Sequence, residues 1–238
     1  MDARKYLAEL IGTFILVLVG SMSIVAAGMM GPVLVSPLVV APFGFGLGLL
    51  AAIQTAGYVS GGHFNPAVTL AALLDKRIEP MNAVGYWVAQ VVGAIAASGL
   101  LLLISNQAAV ASTASSYPPG QGVQALVVEI TLTAIFLLVI LTVTKRSPNQ
   151  AAFAIPLTLT AIHFAGIPFS GASVNPARSL APALIGGTLN TDILIWIVGP
   201  LVGGILDGSI LVWIVGPLVG AASGWGIYRV LDEGVLSD

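Results

Sequence analysis

Two short apolar pieces, 66–74 and 176–185, each follow an Asn-Pro and lie among much longer apolar runs. The long runs cover approximately 6–28, 36–59, 82–104, 124–144 and 151–168, with a further tract at 193–231. A helix rising ~1.5 Å per residue needs about 20 residues to cross a hydrocarbon core roughly 30 Å thick. The long runs are sufficient; the short pieces reach about half way. Lipid-exposed irregular backbone is forbidden at that depth, so each short piece must be a half-helix buried in protein or lining a water-filled path. This constraint predicts an all-α integral membrane protein with six transmembrane helices and two half-helices between them.

Composition agrees with a bilayer setting. Charged residues are 8% of the 238 and hydrophobic residues 57%, whereas a soluble domain carries roughly a quarter charged residues. The first run has no small-residue cleavage site and reads as a retained span rather than a removable signal peptide. Cysteine is absent, which excludes disulfides and thiolate metal sites. With two His and no clustered carboxylates, no enzyme, metal site or cofactor is expected. The lipid bilayer is the expected surrounding, and no nucleic-acid partner is expected.

The basic residues set the orientation. Arg4 and Lys5 precede the first span, Lys76 and Arg77 follow the first half-helix, Lys145 and Arg146 lie between the fourth and fifth spans, and Arg229 is near the C-terminus. Six spans with both termini cytoplasmic put all of these inside, as the positive-inside pattern requires. The 105–123 loop on the opposite face carries no charge. Arg178 is left over, just after the start of the second half-helix.

The chain also repeats itself. Ser-Gly-Gly-His-Phe-Asn-Pro-Ala-Val-Thr (60–69) and Ser-Gly-Ala-Ser-Val-Asn-Pro-Ala-Arg-Ser (170–179) are one element, 175 − 65 = 110 residues apart. Upstream of each stands a Glu with a Thr four residues on, Glu9/Thr13 and Glu129/Thr133. Three spans separate equivalent points, so the second copy enters from the opposite side. Paired interrupted segments in an inverted repeat point to a transport path.

The two Asn-Pro-Ala boxes, their Ser-Gly leads, the Glu-x-x-x-Thr pairs and Ala-Gln-Val-Val-Gly-Ala (89–94) resemble the aquaporin, or major intrinsic protein, family. The likeness runs in order and spacing from residue 1 to about 200. It implies one channel domain over 1–238, with repeat halves at 1–104 and 124–231 and the two half-helices meeting at the membrane midplane. It further implies a homotetramer in the cell (plasma) membrane, conducting water as an orthodox water-selective member of bacterial or archaeal type. The alternative is a facilitator of the same fold for glycerol or another small neutral solute.

The boxes suit such a pore chemically. Pro66 and Pro176 fit the first turn of a helix, where a missing N–H costs nothing. Asn65 and Asn175 are favoured N-caps, expected to leave their side-chain amides free to donate to a permeant, and Ala67 and Ala177 complete the boxes. Opposed half-helix N-termini present positive dipole ends that repel cations and protons. A lone Asn-Pro is an ordinary helix start; the repeated pair in this context is not. Glu9 and Glu129 are costly inside apolar spans. With Thr13 and Thr133 they are expected to support the irregular loops rather than take part in conduction.

By distance from the boxes, the resemblance assigns the selectivity constriction to Phe45, His163, Ala172 and Arg178. Phe, His and Arg there are similar to the water-selective class. Glycerol-conducting relatives usually carry Trp for Phe45, Gly for His163 and Asp where this chain has Ser179. Ala172 departs from the usual Thr or Cys, at a place that mainly offers a backbone carbonyl. The plainer readings are packing for Phe45 and a hydrogen-bonded core residue for His163. A membrane-depth Arg must in any case face a partner or water.

One feature lies outside the family pattern. Ile-Leu-Ile-Trp-Ile-Val-Gly-Pro-Leu-Val-Gly-Gly (193–204) recurs almost unchanged at 210–221, an offset of 210 − 193 = 17 residues. Seventeen residues at ~100° each turn the second copy roughly 100° out of phase, so one helix cannot present both stripes alike. A seventh span would put Arg229 outside, so the second copy is expected to be the sixth span and the first an extra extracellular segment.

Overall fold

The computed structural model describes residues 2–31, 36–189 and 209–233, the last stretch with side chains from 219 to 232. The 193–204 copy lies outside the described residues. The described residues form helices and no strand: α1 (Ala3–Met30), α2 (Pro37–Ser60), α3 (Pro66–Leu74), α4 (Pro80–Ile104), α5 (Gln107–Ala111), α6 (Gly122–Arg146), α7 (Pro148–Ser170), α8 (Pro176–Ile185) and α9 (Ser209–Glu233). Among them α1, α2, α4, α6 and α7 are long and apolar enough to cross a membrane, at 28, 24, 25, 25 and 23 residues. At 25 residues α9 matches them in length. The half-helices α3 and α8 have 9 and 10 residues, about 14–15 Å of rise.

Helix starts follow local chemistry. The Asp2 side chain accepts from Arg4 N at the head of α1, and Ser36 accepts from Leu38 N ahead of Pro37. Pro80 and Pro148 open α4 and α7, and Gly171, in the left-handed region at φ 77, ends α7. These residues replace or satisfy backbone groups that a helix end leaves unpaired.

Packing repeats as the sequence does. Helix α1 packs on α2 and α4, as α6 packs on α7 and α9. The half-helices cross over: α8, from the second half, packs on α4, and α3, from the first, packs on α9. Close approach of the long helices depends on two corresponding glycines. A Cβ on Gly93 would stand 2.3 Å from the Leu10 carbonyl oxygen, and one on Gly220 would stand 2.4 Å from that of Ile130. Leu10 and Ile130 each directly follow the Glu of their half. Gly220 belongs to the 210–221 copy.

One end of the bundle gathers basic residues. Arg77 pairs with Asp75 (2.6 Å), donates to Thr144 (2.7 Å) and lies 3.4 Å from the Tyr228 hydroxyl. Lys145 bonds Asp232, which also faces Arg146 at 3.5 Å. The regions after α3, at the end of α6 and at the end of α9 therefore share a side.

Candidate functional site

Each half-helix begins abruptly. Asn65 Oδ1 accepts from Ala67 N (2.8 Å), and Asn175 Oδ1 accepts from Ala177 N (3.1 Å) and Arg178 N (3.3 Å), with Pro66 and Pro176 in the first turn. The caps also join the two halves. Asn65 Nδ2 donates to the Val174 carbonyl at 2.7 Å, and Asn175 Nδ2 donates to the Phe64 carbonyl at 3.0 Å. The sequence expectation left both amides free. In the structure each spends one N–H on the opposite loop, and an amide has two.

The loops leading into the caps are bent in the same way in both halves. Phe64 and Val174 occupy the left-handed region at φ 50 and 45, as do Gly62 and Ala172 at φ 68 and 44. A bulky or β-branched residue there costs about 1–3 kcal/mol. Buried carboxylates hold the bends. Glu9 accepts from Ser60 Oγ (2.6 Å), His63 N (2.9 Å), Phe64 N (2.7 Å) and Gln90 Nε2 (2.7 Å). Glu129 accepts from Ser170 Oγ (2.7 Å), Ser173 N (2.8 Å) and Val174 N (2.9 Å). Hydrogen bonds to a charged group contribute about 1.5–3 kcal/mol each, so three or four outweigh the strain.

The threonines act elsewhere. Thr13 Oγ1 returns its proton to the Glu9 carbonyl of its own helix (2.7 Å), the usual outlet for a helical Thr. Thr133 makes no side-chain hydrogen bond among the described residues and packs beneath Gly220, where a Cβ would meet its own at 2.7 Å.

A cavity of about 380 Å³ runs past both caps. Arg77 and Thr144 line one end and Phe45, His163 and Arg178 the other, with Asn65, Asn175 and aliphatic residues such as Leu49, Val68 and Ile140 in the wall. A second cavity of about 150 Å³ lies beyond, bounded by Pro37, Leu38 and Ser112 to Ser116, and Arg178 is the residue common to both. Phe45 and His163 stack with centroids 5.1 Å apart at 26°, and Arg178 Cζ lies 4.6 Å from the Phe45 centroid. Gly20 makes room for the Phe45 ring, which a Cβ there would approach to 2.2 Å.

Two polar atoms at this end have no partner among the described residues, His163 Nε2 and Arg178 Nε. His163 Nδ1 faces the Leu159 carbonyl at 2.8 Å, and a carbonyl only accepts, so Nδ1 carries the proton. In the neutral ring Nε2 is then an acceptor, whereas Arg178 Nε–H is a donor. Ala172 is buried, and its amide donates to Ser170 Oγ (3.1 Å).

A profile of the family described as "Major intrinsic protein" matches residues 1–211. The chain belongs to that family. It is 39% identical over 204 residues to Glycerol uptake facilitator protein-like 6 of Lactiplantibacillus plantarum, covering 83% of this chain and 91% of that protein. It is 41% identical over 198 residues to Aquaporin Z of Photorhabdus laumondii, covering 78% and 85%. The aquaglyceroporin from Plasmodium falciparum superposes with a TM-score of 0.79 over 95% of each chain at 23% identity, which speaks to the fold. As a major intrinsic protein the chain is a multi-pass membrane channel for water or a small solute.

Sequence reasoning missed several participants. Gln90 Nε2 bonds both Glu9 and Thr69 Oγ1 (2.9 Å), and Ser60 and Ser170 bond the carboxylates. The Ser-Gly leads and the 89–94 segment were visible as likeness, but nothing in their spacing said which atoms they would meet. His63, in the loop leading to the first box, has its Nδ1 3.1 Å from Thr69 Oγ1.

Proposed function

We propose that this major intrinsic protein is a passive, water-selective channel that moves water down osmotic gradients and excludes protons and ions. The observation that carries the reading is the pair of unpartnered atoms at one end of the cavity. His163 Nε2 accepts and Arg178 Nε donates beside the face of Phe45. Water can donate to the first and accept from the second; a carbon-bearing solute needs room that the stacked rings take up. Further along, each Asn amide retains a second N–H for the oxygen of a passing water. Opposed half-helix N-termini and the Arg178 cation raise the potential against protons and cations. Glu9 and Glu129 hold the loops and take no part in conduction.

The setting we propose is the cell membrane, with both termini cytoplasmic and four copies assembled. The shared side of Arg77, Lys145, Arg146 and Arg229 supports that orientation by the positive-inside rule. Stopped-flow shrinkage of proteoliposomes, with sucrose and then glycerol as osmolyte, tests the permeant. Fast shrinkage in both, with no re-swelling in glycerol, is expected. The second reading, a glycerol facilitator, draws on the 39% identity to the Lactiplantibacillus plantarum protein, and rapid re-swelling in glycerol would favour it.

A further inference from the structure

The second half-helix carries a file of hydroxyls that ends on a cation. Arg178 Nη1 donates to Ser115 Oγ (2.5 Å), and Ser115 Oγ lies 2.9 Å from Ser179 Oγ. Ser179 donates to Ser173 Oγ (2.5 Å), and Ser173 donates to the Asn175 carbonyl (3.0 Å). Arg178, Ser115, Ser179 and Ser173 are all buried. A guanidinium only donates and a carbonyl only accepts. With both ends fixed, each hydroxyl between them has one direction, so Ser115 donates to Ser179. Aligned bonds of this kind polarise one another. The file closes on the residue that caps the half-helix, and Ser173 N is itself held by Glu129 (2.8 Å).

The first half lacks this arrangement. Thr69 stands where Ser179 stands and His63 where Ser173 stands, with their side chains 3.1 Å apart, but Val68 takes the place of Arg178. There the outside partner of the hydroxyl is Gln90, on the long helix α4. In the second half it is Ser115, in the connection between α5 and α6. Among the described residues the guanidinium's side-chain hydrogen bond runs to Ser115 alone. Ser115 on one side and the Phe45 face on the other fix a group that borders both cavities.

We propose that Ser115 is a positioning residue for selectivity: its hydroxyl holds Arg178 at the narrow end of the channel and so sets solute exclusion. The inference rests on the reading of Arg178 as part of the filter. Full-length chains carrying Ser115→Ala, Ser115→Thr, Ser179→Ala and Arg178→Val are reconstituted, and water and glycerol permeabilities are read on the same vesicles. Ser115→Ala is expected to raise the glycerol-to-water ratio about tenfold with water flux within about twofold, and Ser115→Thr to return the ratio to wild type. A general packing defect would lower both fluxes together, and that outcome overturns the proposal. So does an unchanged ratio in Ser115→Ala, or a Thr variant as leaky as the Ala variant. Should Ser115→Ala fail to insert, Ser179→Ala decides: a ratio about threefold higher supports the file, and a wild-type ratio overturns it. If Arg178→Val keeps the wild-type ratio, the filter reading itself fails. If it leaks while Ser115→Ala does not, only the role of Ser115 fails.

Discussion

The Asn65 side-chain amide donates to the Val174 carbonyl at 2.7 Å, so the cap of one half-helix is fastened to the loop that leads into the other. Asn175 returns the bond to Phe64. An Asp at either cap would keep an acceptor for the helix N–H groups but would set a carboxylate oxygen against a buried carbonyl. Asn65→Asp is therefore expected to lower stability by about 1–3 kcal/mol, seen as a lower Tm of the detergent-solubilised protein, and to reduce water flux. Equal melting of Asn65→Asp and wild type would mean that the cross-bond contributes nothing.

What the sequence made legible follows from how local the physics is. Asn-Pro at 65–66 and 175–176 fixes a helix start within three residues, and Glu9 and Glu129 stand out because charge is rare in apolar spans. The destinations of side chains were not legible. The Asn amides reach residues 109 and 111 positions away along the chain, and nothing near Asn65 names Val174. Phe64 and Val174 are residue types that avoid positive φ, and it is the carboxylate on the N–H and the Asn amide on the carbonyl that hold each of them there. Ser115 sits in a Ser/Thr-rich, uncharged loop where no serine differs from its neighbours until Arg178 selects one.

The carboxylates give a second test. In Glu129→Gln one oxygen becomes an amide, and whichever way it turns, an N–H faces either Ser173 N or Val174 N, now 2.8 and 2.9 Å from the carboxylate. Glu9→Gln sets the same conflict against His63 N or Phe64 N. Leaving a buried backbone N–H unsatisfied costs about 1–3 kcal/mol. Both variants are expected to fold in reduced yield and melt earlier. Wild-type Tm in either would show that the loop bends hold themselves.

Selectivity can be rewritten at the stacked pair. Replacing His163 with Gly removes the ring 5.1 Å from Phe45, and Phe45→Trp changes the remaining wall. The double variant is expected to admit glycerol at least about tenfold faster than wild type, since opening or filling a pocket by a few atoms changes discrimination by one to two orders of magnitude. The readout is re-swelling of proteoliposomes after a glycerol shock. Rapid glycerol entry through the wild type would overturn the water reading and leave the fold as it is.

The doubled C-terminal segment is tested by removing one copy. Helix α9 places Gly220 over the Ile130 carbonyl, as Gly93 lies over that of Leu10, and a Cβ on Gly224 would stand 2.5 Å from the Ala134 carbonyl oxygen. Its far end bonds Arg77 through Tyr228 and Lys145 through Asp232, and along its length it meets α6, α3 and α8. Helix α9, which contains the 210–221 copy, thus makes contacts of the kind expected of a sixth span. Deleting residues 193–209 removes one repeat unit of 210 − 193 = 17 residues and joins Asp192 to Ile210. Gly220, Gly224, Tyr228 and Asp232 all follow the cut and their partners Ile130, Ala134, Arg77 and Lys145 all precede it, so the deletion removes none of them. The shortened chain is expected to insert with its C-terminus inside, to melt within a few degrees of wild type, and to conduct water without passing protons. Protease access to a C-terminal tag, Tm and a pH-sensitive dye in the vesicle lumen report these properties in turn. A misfolded or proton-leaky deletion beside a tight full-length channel would make residues 193–209 part of the working structure, and the 210–221 copy alone would no longer account for the sixth span.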